Sequence, residues 1–570
     1  MVQMASPSER RAALEDRFPT WEPRPMHKWL DRIAEEFPER EFVVTDEHSY
    51  TYREIQEWSR DLAAGLASRG ISKGDHVAVV MGNCPEYVAL KFGISALGAV
   101  IVPINTMYQC DELLFVLRDS EASALITMTG FRNQNFLDML DEICPGWDDG
   151  AGLAGLPHLE FTAQFEAAVP ARRNVPTLAD VAGWGRMTTM PEVDVEAGDL
   201  SAIFYTSGTT GSPKGVMWQH DAEARVAYGS AYTRAFADGW RVQSSLPLFH
   251  VFANNEVMNA AMFAGAVFIP RPSFDVEDYV SAIVRHRPTE IVCVPTMVVA
   301  LCESEVAISA DTDSLVALMC AGAPAPAWLW ERAIEIFGVE QLTTAFGMTE
   351  TGGGPVMSRP ERDVEHVATT VGQPKCGGVA ALPGMNGLLS ETRTVDPVTG
   401  EPLPEGAEGE LISRGPTNAI GYWKRPEATA ETFRDGWVYT GDLGKVLPDG
   451  SIVLTGRKKE MIRSGGENFA PKEVEELLSR HPAVSQAFMV GIPDVKWGEI
   501  GCVWVVTEAH AEVTAEELIE FCRGKLASFK RPRHVLFISA EDLPKTPTGK
   551  VQKFVLVDMA VEKLNVAQAH

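Results

Sequence analysis

Residues 206–212 form an unbroken run of hydroxyl and glycine residues that leads into Pro-Lys-Gly at residues 213–215. An apolar segment, residues 200–205, precedes the run and is typical of a strand, and a helix is predicted to begin near Asp221. Glycines let the backbone approach a ligand, hydroxyls add donors, and the lysine adds a compact positive charge. The segment therefore indicates a cradle for a polyphosphate. The alternative is an ordinary surface turn, and the spacing is not that of a Walker A loop.

Four further segments carry residues of types that can bind a nucleotide or take part in a reaction at its phosphates. In chain order they are Phe346-Gly347-Met348-Thr349-Glu350, Tyr439-Thr440-Gly441-Asp442, Gly456-Arg457-Lys458-Lys459-Glu460 and Pro547-Thr548-Gly549-Lys550. Taken singly, Asp442 is a common β-turn residue, and Lys550 is an ordinary solvated lysine near the end of the chain. Only their place in the ordered set favours a catalytic interpretation.

The five segments together resemble the adenylate-forming superfamily, which includes acyl-CoA synthetases, peptide-synthetase adenylation domains and beetle luciferases. The resemblance extends from about Thr51 to Lys553, and residues 83–112 look most like stand-alone acyl-CoA ligases of the fatty-acid and carnitine branches. It implies attack of a carboxylate on the α-phosphate of ATP, which gives acyl-AMP and pyrophosphate, followed by transfer of the acyl group to coenzyme A. ATP, Mg²⁺ and coenzyme A are the implied cofactors and co-substrates of this acid–thiol ligase.

The resemblance also assigns roles to individual residues. Lys550 is the expected catalytic cation, with Lys545 as a neighbouring decoy, and Thr206 and Glu350 are the expected Mg²⁺ ligands. His250 matches an aromatic gate beside the acyl group, although a structural histidine is the alternative. The nucleotide is expected to contact Ser207, Gly208, Thr209, Thr210, Gly211, Lys214, Gly322, Ala323, Pro324, Phe346, Gly347, Met348, Thr349, Asp442 and Arg457, and the pantetheine arm to pass Gly465 and Gly466.

Alternating helices and short apolar strands in the first half predict an α/β protein with helix-covered sheets. Short strands and then mixed elements follow, which favours a β-rich part and a compact α+β unit. Residues 145–191 are rich in Gly, Pro and Asp and are predicted to form a surface excursion. The predicted domains are 1–457, with a β-rich subdomain at about 375–457, and a small mobile domain at 458–570 with its hinge at Lys459.

Composition limits the class of protein. A formal net charge of −28 over 570 residues argues against nucleic acid as a partner. Nine cysteines without CxxC spacing favour reduced thiols in a cytoplasmic protein. Residues 1–21 are polar and lack the apolar core of a signal peptide. Lys91, two glycines and Pro103 interrupt the most hydrophobic stretch, 89–104, so a buried helix and strand are favoured over an integral membrane segment. A homo-oligomer is compatible with the sequence.

The acid is expected to lie among small, mostly apolar residues that include no Arg or Lys for a second carboxylate. The four segments concerned are 249–258, 294–298, 319–323 and 346–354. They favour an aliphatic or alicyclic monocarboxylate. Asn254, Asn255 and Glu256 are polar exceptions that would recognise a hydroxyl or a cationic group.

Three other functions are consistent with parts of the pattern. A nucleotide-binding sensor or scaffold would keep the fold without the chemistry, but Lys214, Glu350, Asp442, Arg457 and Lys550 are all present. A carrier protein in place of coenzyme A would be a second acceptor, and oxygen, as in luciferases, a third. Oxygen uptake or light emission would identify the last.

Overall fold

The structure is a computed structural model that describes residues 4–149, 155–206, 213–464, 467–494, 497–509, 511–523, 525–545 and 551–564. The chain divides into two compact units, Met1–Thr392 with Ser413–Val438, and Arg393–Ile412 with Tyr439–His570. The predicted boundary at residue 457 and the mobility of the C-terminal domain stay predictions.

Helices and short strands alternate along most of the chain. The helices are α1 Pro7–Arg17, α2 Met26–Glu36, α3 Tyr52–Ala67, α4 Pro85–Ala96, α5 Cys110–Asp119, α6 Phe136–Ile143, α7 Leu178–Arg186, α8 His220–Thr233, α9 Ala260–Ala264, α10 Val276–His286, α11 Pro295–Glu303, α12 Glu305–Ser309, α13 Ala327–Phe337, α14 Val364–Thr369, α15 Pro426–Thr432, α16 Pro471–Leu478, α17 Ala515–Phe521 and α18 Lys553–Leu564. The strands are β1 Glu41–Val44, β2 Ser49–Thr51, β3 His76–Val80, β4 Val100–Pro103, β5 Ala124–Met128, β6 Gly130–Phe131, β7 Gln134–Asn135, β8 Phe161–Phe165, β9 Leu200–Thr206, β10 Lys214–Gln219, β11 Arg241–Ser244, β12 Val267–Pro270, β13 Glu290–Cys293, β14 Ala317–Cys320, β15 Gln341–Thr343, β16 Ala345–Phe346, β17 Val356–Met357, β18 Gln373–Pro374, β19 Glu391–Val395, β20 Gly409–Arg414, β21 Gly421–Tyr422, β22 Phe433–Arg434, β23 Trp437–Val446, β24 Ile452–Arg457, β25 Ile462–Ser464, β26 Glu467–Phe469, β27 Val484–Asp494, β28 Gly498–Thr507 and β29 His534–Phe537.

Two seven-stranded sheets form the centre of the first unit. One has the order β15-β14-β13-β11-β12-β1-β2 and is parallel except for β2. The other has the order β21-β10-β9-β4-β3-β5-β8, in which β10 runs antiparallel to both of its neighbours. Strands such as β3 and β13 are buried along their whole length, because helices cover both faces of a parallel sheet.

The second unit is built on a smaller sheet with the order β26-β25-β28-β27, to which β29 adds in parallel. Alternate residues of β28 point to opposite faces. Val503 and Val505 pack in a cluster with residues of α16 and α17, whereas Cys502 and Trp504 pack in a cluster with residues of α18. This mixed unit and the parallel sheets of the first confirm the predicted α/β class with a smaller α+β part.

Residues 145–191 do not form the predicted surface excursion throughout. β8 pairs in parallel with β5 and extends the second sheet, and α7 packs against α3. Gly185 makes this contact close, since a Cβ there would lie 1.7 Å from the carbonyl oxygen of Asp61. The glycines that indicated a loop thus include residues that let two helices approach.

Among the residues that the structure describes, no helix is both long and apolar enough to cross a bilayer. The apolar stretch 89–104 is divided between α4 and β4, as predicted. A cytoplasmic location and a homo-oligomer stay predictions.

Candidate active site

The carboxyl ends of β11, β13, β14 and β15 lie side by side, because these strands are parallel neighbours. The loops after the first three carry His250, Val294 and residues 322–324, and Phe346 lies in the short strand β16 that follows β15. Gly322 has φ +90°, and a Cβ there would lie 3.4 Å from Cγ1 of Val294. Gly322, Ala323 and Pro324 are exposed, and Phe346 is half-buried. These loops therefore form an accessible edge of the kind where parallel α/β sheets bind ligands.

The segment after Phe346 folds back on itself. Thr349–Thr351 is a single 3-10 turn, and the Gly353 amide donates to the Met348 carbonyl at 3.0 Å. Gly347 has no room for a side chain, because a Cβ would lie 2.3 Å from the Gly353 carbonyl oxygen. The turn buries Glu350 and leaves Thr349 half-buried.

The predicted phosphate loop connects the two strands of a hairpin. β9 and β10 pair antiparallel, with Thr206 opposite Lys214, and the Thr206 hydroxyl donates to the Lys214 carbonyl at 3.5 Å. Ser207, Gly208, Thr209, Thr210 and Gly211 lie outside the described residues. The pairing holds the two ends of the loop together. Strand β10 was not predicted, since the sequence indicated only a helix beyond the loop.

Asp119, at the end of α5, holds the base of this hairpin. Its carboxylate accepts from the Tyr205 hydroxyl at 2.8 Å and pairs with Arg425 at 2.6 Å, and its carbonyl accepts from the Trp423 indole at 2.9 Å. Burial and the Asp119 carboxylate raise the pKa of Tyr205 well above its ordinary value. Tyr205, which precedes Thr206, is therefore held by a hydrogen bond to the carboxylate at the end of α5.

Tyr422 connects Lys214 with Glu350, and it was not among the residues predicted from sequence. Its hydroxyl donates to Oε1 of Glu350 at 2.5 Å, and Nζ of Lys214 lies 5.1 Å from the centre of its ring. Tyr422 pairs with Val216 across β21 and β10. Burial, and then the Glu350 carboxylate, raise the pKa of the Tyr422 hydroxyl. In the sequence, Tyr422 is marked only by its place in the aromatic pair Tyr422-Trp423 after Gly421, and such a pair does not by itself indicate a functional site.

A magnesium site fits this arrangement. No group of three or more His, Cys, Asp or Glu side chains suited to a metal occurs in the described part of the chain. Mg²⁺ bound to a nucleotide needs only one or two protein oxygens besides the phosphates. The Glu350 carboxylate, which is bonded to Tyr422, and the Thr206 hydroxyl, which is bonded to the Lys214 carbonyl, are hard oxygen ligands of that kind.

His250 lies at the end of the loop that follows β11 and is exposed. Its Nδ1 accepts from the backbone amide of Phe252 at 3.3 Å, and its carbonyl accepts from the backbone amide of Asn254 at 3.1 Å. The residue thus begins the helical segment of the expected acyl site, while its role as a gate stays a prediction.

Asp442 and Arg457 belong to the second unit and meet each other there. They are directly paired across β23 and β24, and Nε of Arg457 lies 3.0 Å from Oδ1 of Asp442. The Asp442 amide donates to the Thr440 hydroxyl at 3.1 Å. Only 8% of Asp442 is exposed, whereas the Arg457 side chain is half exposed. The carboxylate is therefore oriented by its neighbours, as a residue that binds a diol must be.

Lys459 lies exposed in the 3-10 turn Lys458–Glu460. Gly465, Gly466 and Lys550 lie outside the described residues. The residues that flank the Lys550 segment do pair, since Lys545 and Val551 form an antiparallel bridge.

Comparisons with known proteins agree with this geometry. Residues 30–423 match the family described as AMP-binding enzyme, and residues 473–550 match the AMP-binding enzyme C-terminal domain. The chain is 33% identical to a feruloyl-CoA synthase of Amycolatopsis sp, over 92% of this chain and 97% of that protein. It is 32% identical to the long-chain-fatty-acid–CoA ligase FadD13 of Mycobacterium tuberculosis, over 89% and 92%. The crystal structure of the anthranilate CoA ligase AuaEII with anthranoyl-AMP superposes with a TM-score of 0.81 at 26% identity, covering 95% of this chain and 98% of that one.

Proposed function

The chain belongs to the AMP-binding enzyme family, and from that premise we propose an aliphatic or alicyclic monocarboxylate as its acid. The enzyme is an AMP-forming acid–thiol ligase, which makes an acyl-AMP from ATP and then an acyl-CoA. The absence of Arg and Lys from residues 249–258 and 346–354 supports a single carboxylate. Lys375, which approaches the first of these segments, is already paired with Glu256.

The chemistry requires two anions to react. A carboxylate oxygen attacks the α-phosphorus, the bond to the bridging oxygen breaks, and pyrophosphate leaves with its electron pair. The coenzyme A thiolate then attacks the acyl carbon, and AMP leaves. Catalysis of the first step therefore depends on positioning and on neutralisation of charge.

The link from Lys214 through Tyr422 to Glu350 carries this proposal. It joins the β9–β10 hairpin to the turn that follows β16, so a cation, a hydroxyl and a carboxylate lie close together. Residues 207–211 and Lys214 would hold the phosphates, and Thr349 the α-phosphate. Thr206 and Glu350 would hold Mg²⁺, which would neutralise phosphate charge. Phe346 and residues 322–324 would face the adenine.

Roles are also proposed for residues beyond position 438. Asp442 is proposed to accept from the ribose hydroxyls with help from Arg457, and Lys550 to neutralise charge that develops between the phosphate and the carboxylate. After a rotation at Lys459, Gly465 and Gly466 would give passage to the pantetheine arm.

The test is acid-dependent release of pyrophosphate from ATP across aliphatic, alicyclic and aromatic carboxylates, with and without coenzyme A. We expect release with an aliphatic or alicyclic acid, and a loss of at least about 100-fold in Lys550→Ala, because a cation at the reacting oxygens is removed. Lys545→Ala is the matched control in the same segment and should keep the wild-type rate. A panel in which no acid causes release would contradict the function.

The hinge is tested by separating the two half-reactions. Lys459→Pro restricts φ at the pivot and should slow thioester formation more than adenylation. Lys459→Ala removes the same side chain but leaves the backbone free, so it should affect both half-reactions little. An equal loss of both half-reactions in Lys459→Pro would contradict the role of Lys459.

A further inference from the structure

The segment that follows His250 is a π-helix, Phe252–Asn259, and its residues from Ala253 onward are buried. π-Helical turns are uncommon and occur frequently at functional sites. This one carries four polar side chains, Asn254, Asn255, Glu256 and Asn259, and none of them is exposed. Polar groups buried in this way need hydrogen-bond or charge partners, so identifying those partners indicates the role of each side chain.

Three of the four side chains, Asn254, Asn255 and Asn259, form hydrogen bonds with one another. The side-chain amide of Asn254 donates to the Tyr87 hydroxyl at 3.1 Å and to the Leu248 carbonyl at 3.2 Å. The Asn259 amide donates to the side-chain oxygens of Asn254 at 3.2 Å and Asn255 at 3.1 Å. The expectation that Asn254 recognises the acid is therefore wrong, because its amide is used to hold the π-helix in place.

Glu256 forms an ion pair in the interior. Its Oε1 lies 2.6 Å from Nζ of Lys375, and the two side chains are 0% and 1% exposed. Burial lowers the pKa of Lys375, and Glu256 acts against that shift. The charge of Glu256 is thus already compensated by a cation that the protein itself supplies.

The Glu256 carboxylate touches the backbone that continues from Glu350. A Cβ on Gly354 would lie 3.1 Å from Oε1 of Glu256. On Gly353, which has φ +94°, it would lie 3.6 Å from the same oxygen and 3.5 Å from Cα of Phe252. The carboxylate therefore lies between the segment that begins at His250 and the segment that carries Thr349 and Glu350, which is where the acyl group is proposed to bind.

Asn255 and Glu256 each carry one buried polar atom that has no hydrogen-bond partner among the described residues. They are Oε2 of Glu256, which can only accept, and the amide nitrogen of Asn255, which can only donate. A hydroxyl is the kind of group that can both donate to a carboxylate oxygen and accept from an amide nitrogen. A cationic group would instead meet Lys375 as a like charge in a site of low dielectric.

We infer that the acid carries a hydroxyl on its acyl part, which donates to Oε2 of Glu256 and accepts from the Asn255 amide. This inference rests on the proposed function and specifies its substrate class as a hydroxylated monocarboxylate. Asn255 and Glu256 are then specificity-determining residues, and Lys375 is a positioning residue that fixes the Glu256 carboxylate.

The test compares acids that differ by one oxygen. Suitable pairs are hexanoate with 6-hydroxyhexanoate, cyclohexanecarboxylate with 4-hydroxycyclohexanecarboxylate, and 3-phenylpropanoate with 3-(4-hydroxyphenyl)propanoate. We expect kcat/KM for pyrophosphate release to be at least about tenfold higher for the hydroxy acid in one or more pairs, because a site built to bind a hydroxyl discriminates against its absence. 6-Aminohexanoate tests the cationic alternative and should be a poorer substrate than 6-hydroxyhexanoate.

The variants test whether these residues cause the preference. In Asn255→Leu, the ratio of kcat/KM for the hydroxy acid to kcat/KM for the unmodified acid of the same pair should fall to about one. Glu256→Gln alone leaves Lys375 unpaired and can unfold the protein, so the double variant Glu256→Gln with Lys375→Met tests the same point without a buried charge. The double variant Glu223→Gln with Lys91→Met is the matched control, since Glu223 also pairs with a buried lysine, Lys91, at 2.8 Å, between α8 and α4. Its ratio should match that of the wild type.

The outcomes separate this inference from the function on which it rests. If wild-type protein releases no pyrophosphate with any acid, the proposed function itself is wrong. If unmodified and hydroxylated acids react within about twofold of each other in every pair, or if folded Asn255→Leu and the double variant keep the wild-type ratio, the inference is overturned. Preference for 6-aminohexanoate would also overturn it.

Discussion

At the scale of single residues, Tyr422 is the clearest test of the phosphate site. Tyr422→Phe keeps the ring beside Lys214 but removes the hydroxyl that donates to Glu350. A hydrogen bond to a charged group contributes about 1.5–3 kcal/mol, so we expect roughly a tenfold or larger fall in kcat/KM for ATP. The Mg²⁺ concentration for half-maximal activity should rise as well. Both quantities come from pyrophosphate release at varied ATP and Mg²⁺.

Tyr232→Phe provides the control for this substitution. Tyr232 also donates to a glutamate, Glu15, at 2.8 Å, but neither residue belongs to the proposed site. It should leave the Mg²⁺ dependence unchanged. An unaltered Mg²⁺ dependence in Tyr422→Phe would show that its hydroxyl does not act through Glu350.

At the scale of secondary-structure elements, the start of α18 holds the end of the chain that carries Lys550. Nζ of Lys553 lies 2.9 Å from Glu460, which follows Lys459, and 2.8 Å from Glu475 of α16. Burial alone would lower the pKa of Lys553, but Glu475 and Glu460 outweigh it and raise the pKa. One lysine therefore ties the proposed hinge to the helix that begins three residues beyond Lys550.

We predict that Lys553→Met slows adenylation at least about tenfold while the unit stays folded, because the segment before α18 loses its anchor. Rapid-quench measurement of acyl-AMP in the absence of coenzyme A would determine this rate. Lys563→Met is the control, since Lys563 is exposed near the other end of the same helix. A wild-type adenylation rate in Lys553→Met would exclude this positioning role.

At the scale of the whole molecule, two buried histidines make the stability of the first unit depend on pH. Burial lowers the pKa of His27 to about 4 and that of His220 to about 3, from an ordinary value of 6.5. Nδ1 of His27 lies 3.1 Å from the Ser95 hydroxyl, between α2 and α4. The unfolded chain therefore binds protons at a higher pH than the folded chain does.

The stability due to the neutral histidines is full above pH 6.5 and is lost as the pH falls toward 4. We expect each histidine to cost about 2–3 kcal/mol of unfolding free energy between pH 7 and pH 4.5. Urea titrations followed by tryptophan fluorescence would show the midpoint falling, and His27→Gln should reduce the slope. Replacement of exposed His48 should not change how steeply the urea midpoint falls with pH. A wild-type pH dependence of the midpoint in His27→Gln would contradict the role of His27.

Some features were determined by the sequence alone, because they depend on local chemistry. Buried strands such as β3 are short apolar runs, and α3 begins at a capping box in which Thr51 and Glu54 bond each other's amides. The run of hydroxyls and glycines at residues 206–212 predicts a phosphate loop by composition alone, because glycines free the backbone and hydroxyls add donors. The α/β class follows from the same local patterns.

The tertiary structure alone decided which distant side chains contact the residues of the proposed site. Tyr422 is 72 residues from Glu350 in sequence, and Lys375 is 119 residues from Glu256. Both contacts depend on strand pairing and on how helices cover the sheets. A buried charge is stable only when a partner reaches it, and nothing in the local sequence shows which distant residue will do so. For the same reason the glycines of residues 145–191 indicated a loop, although Gly185 belongs to a helix that packs closely on α3.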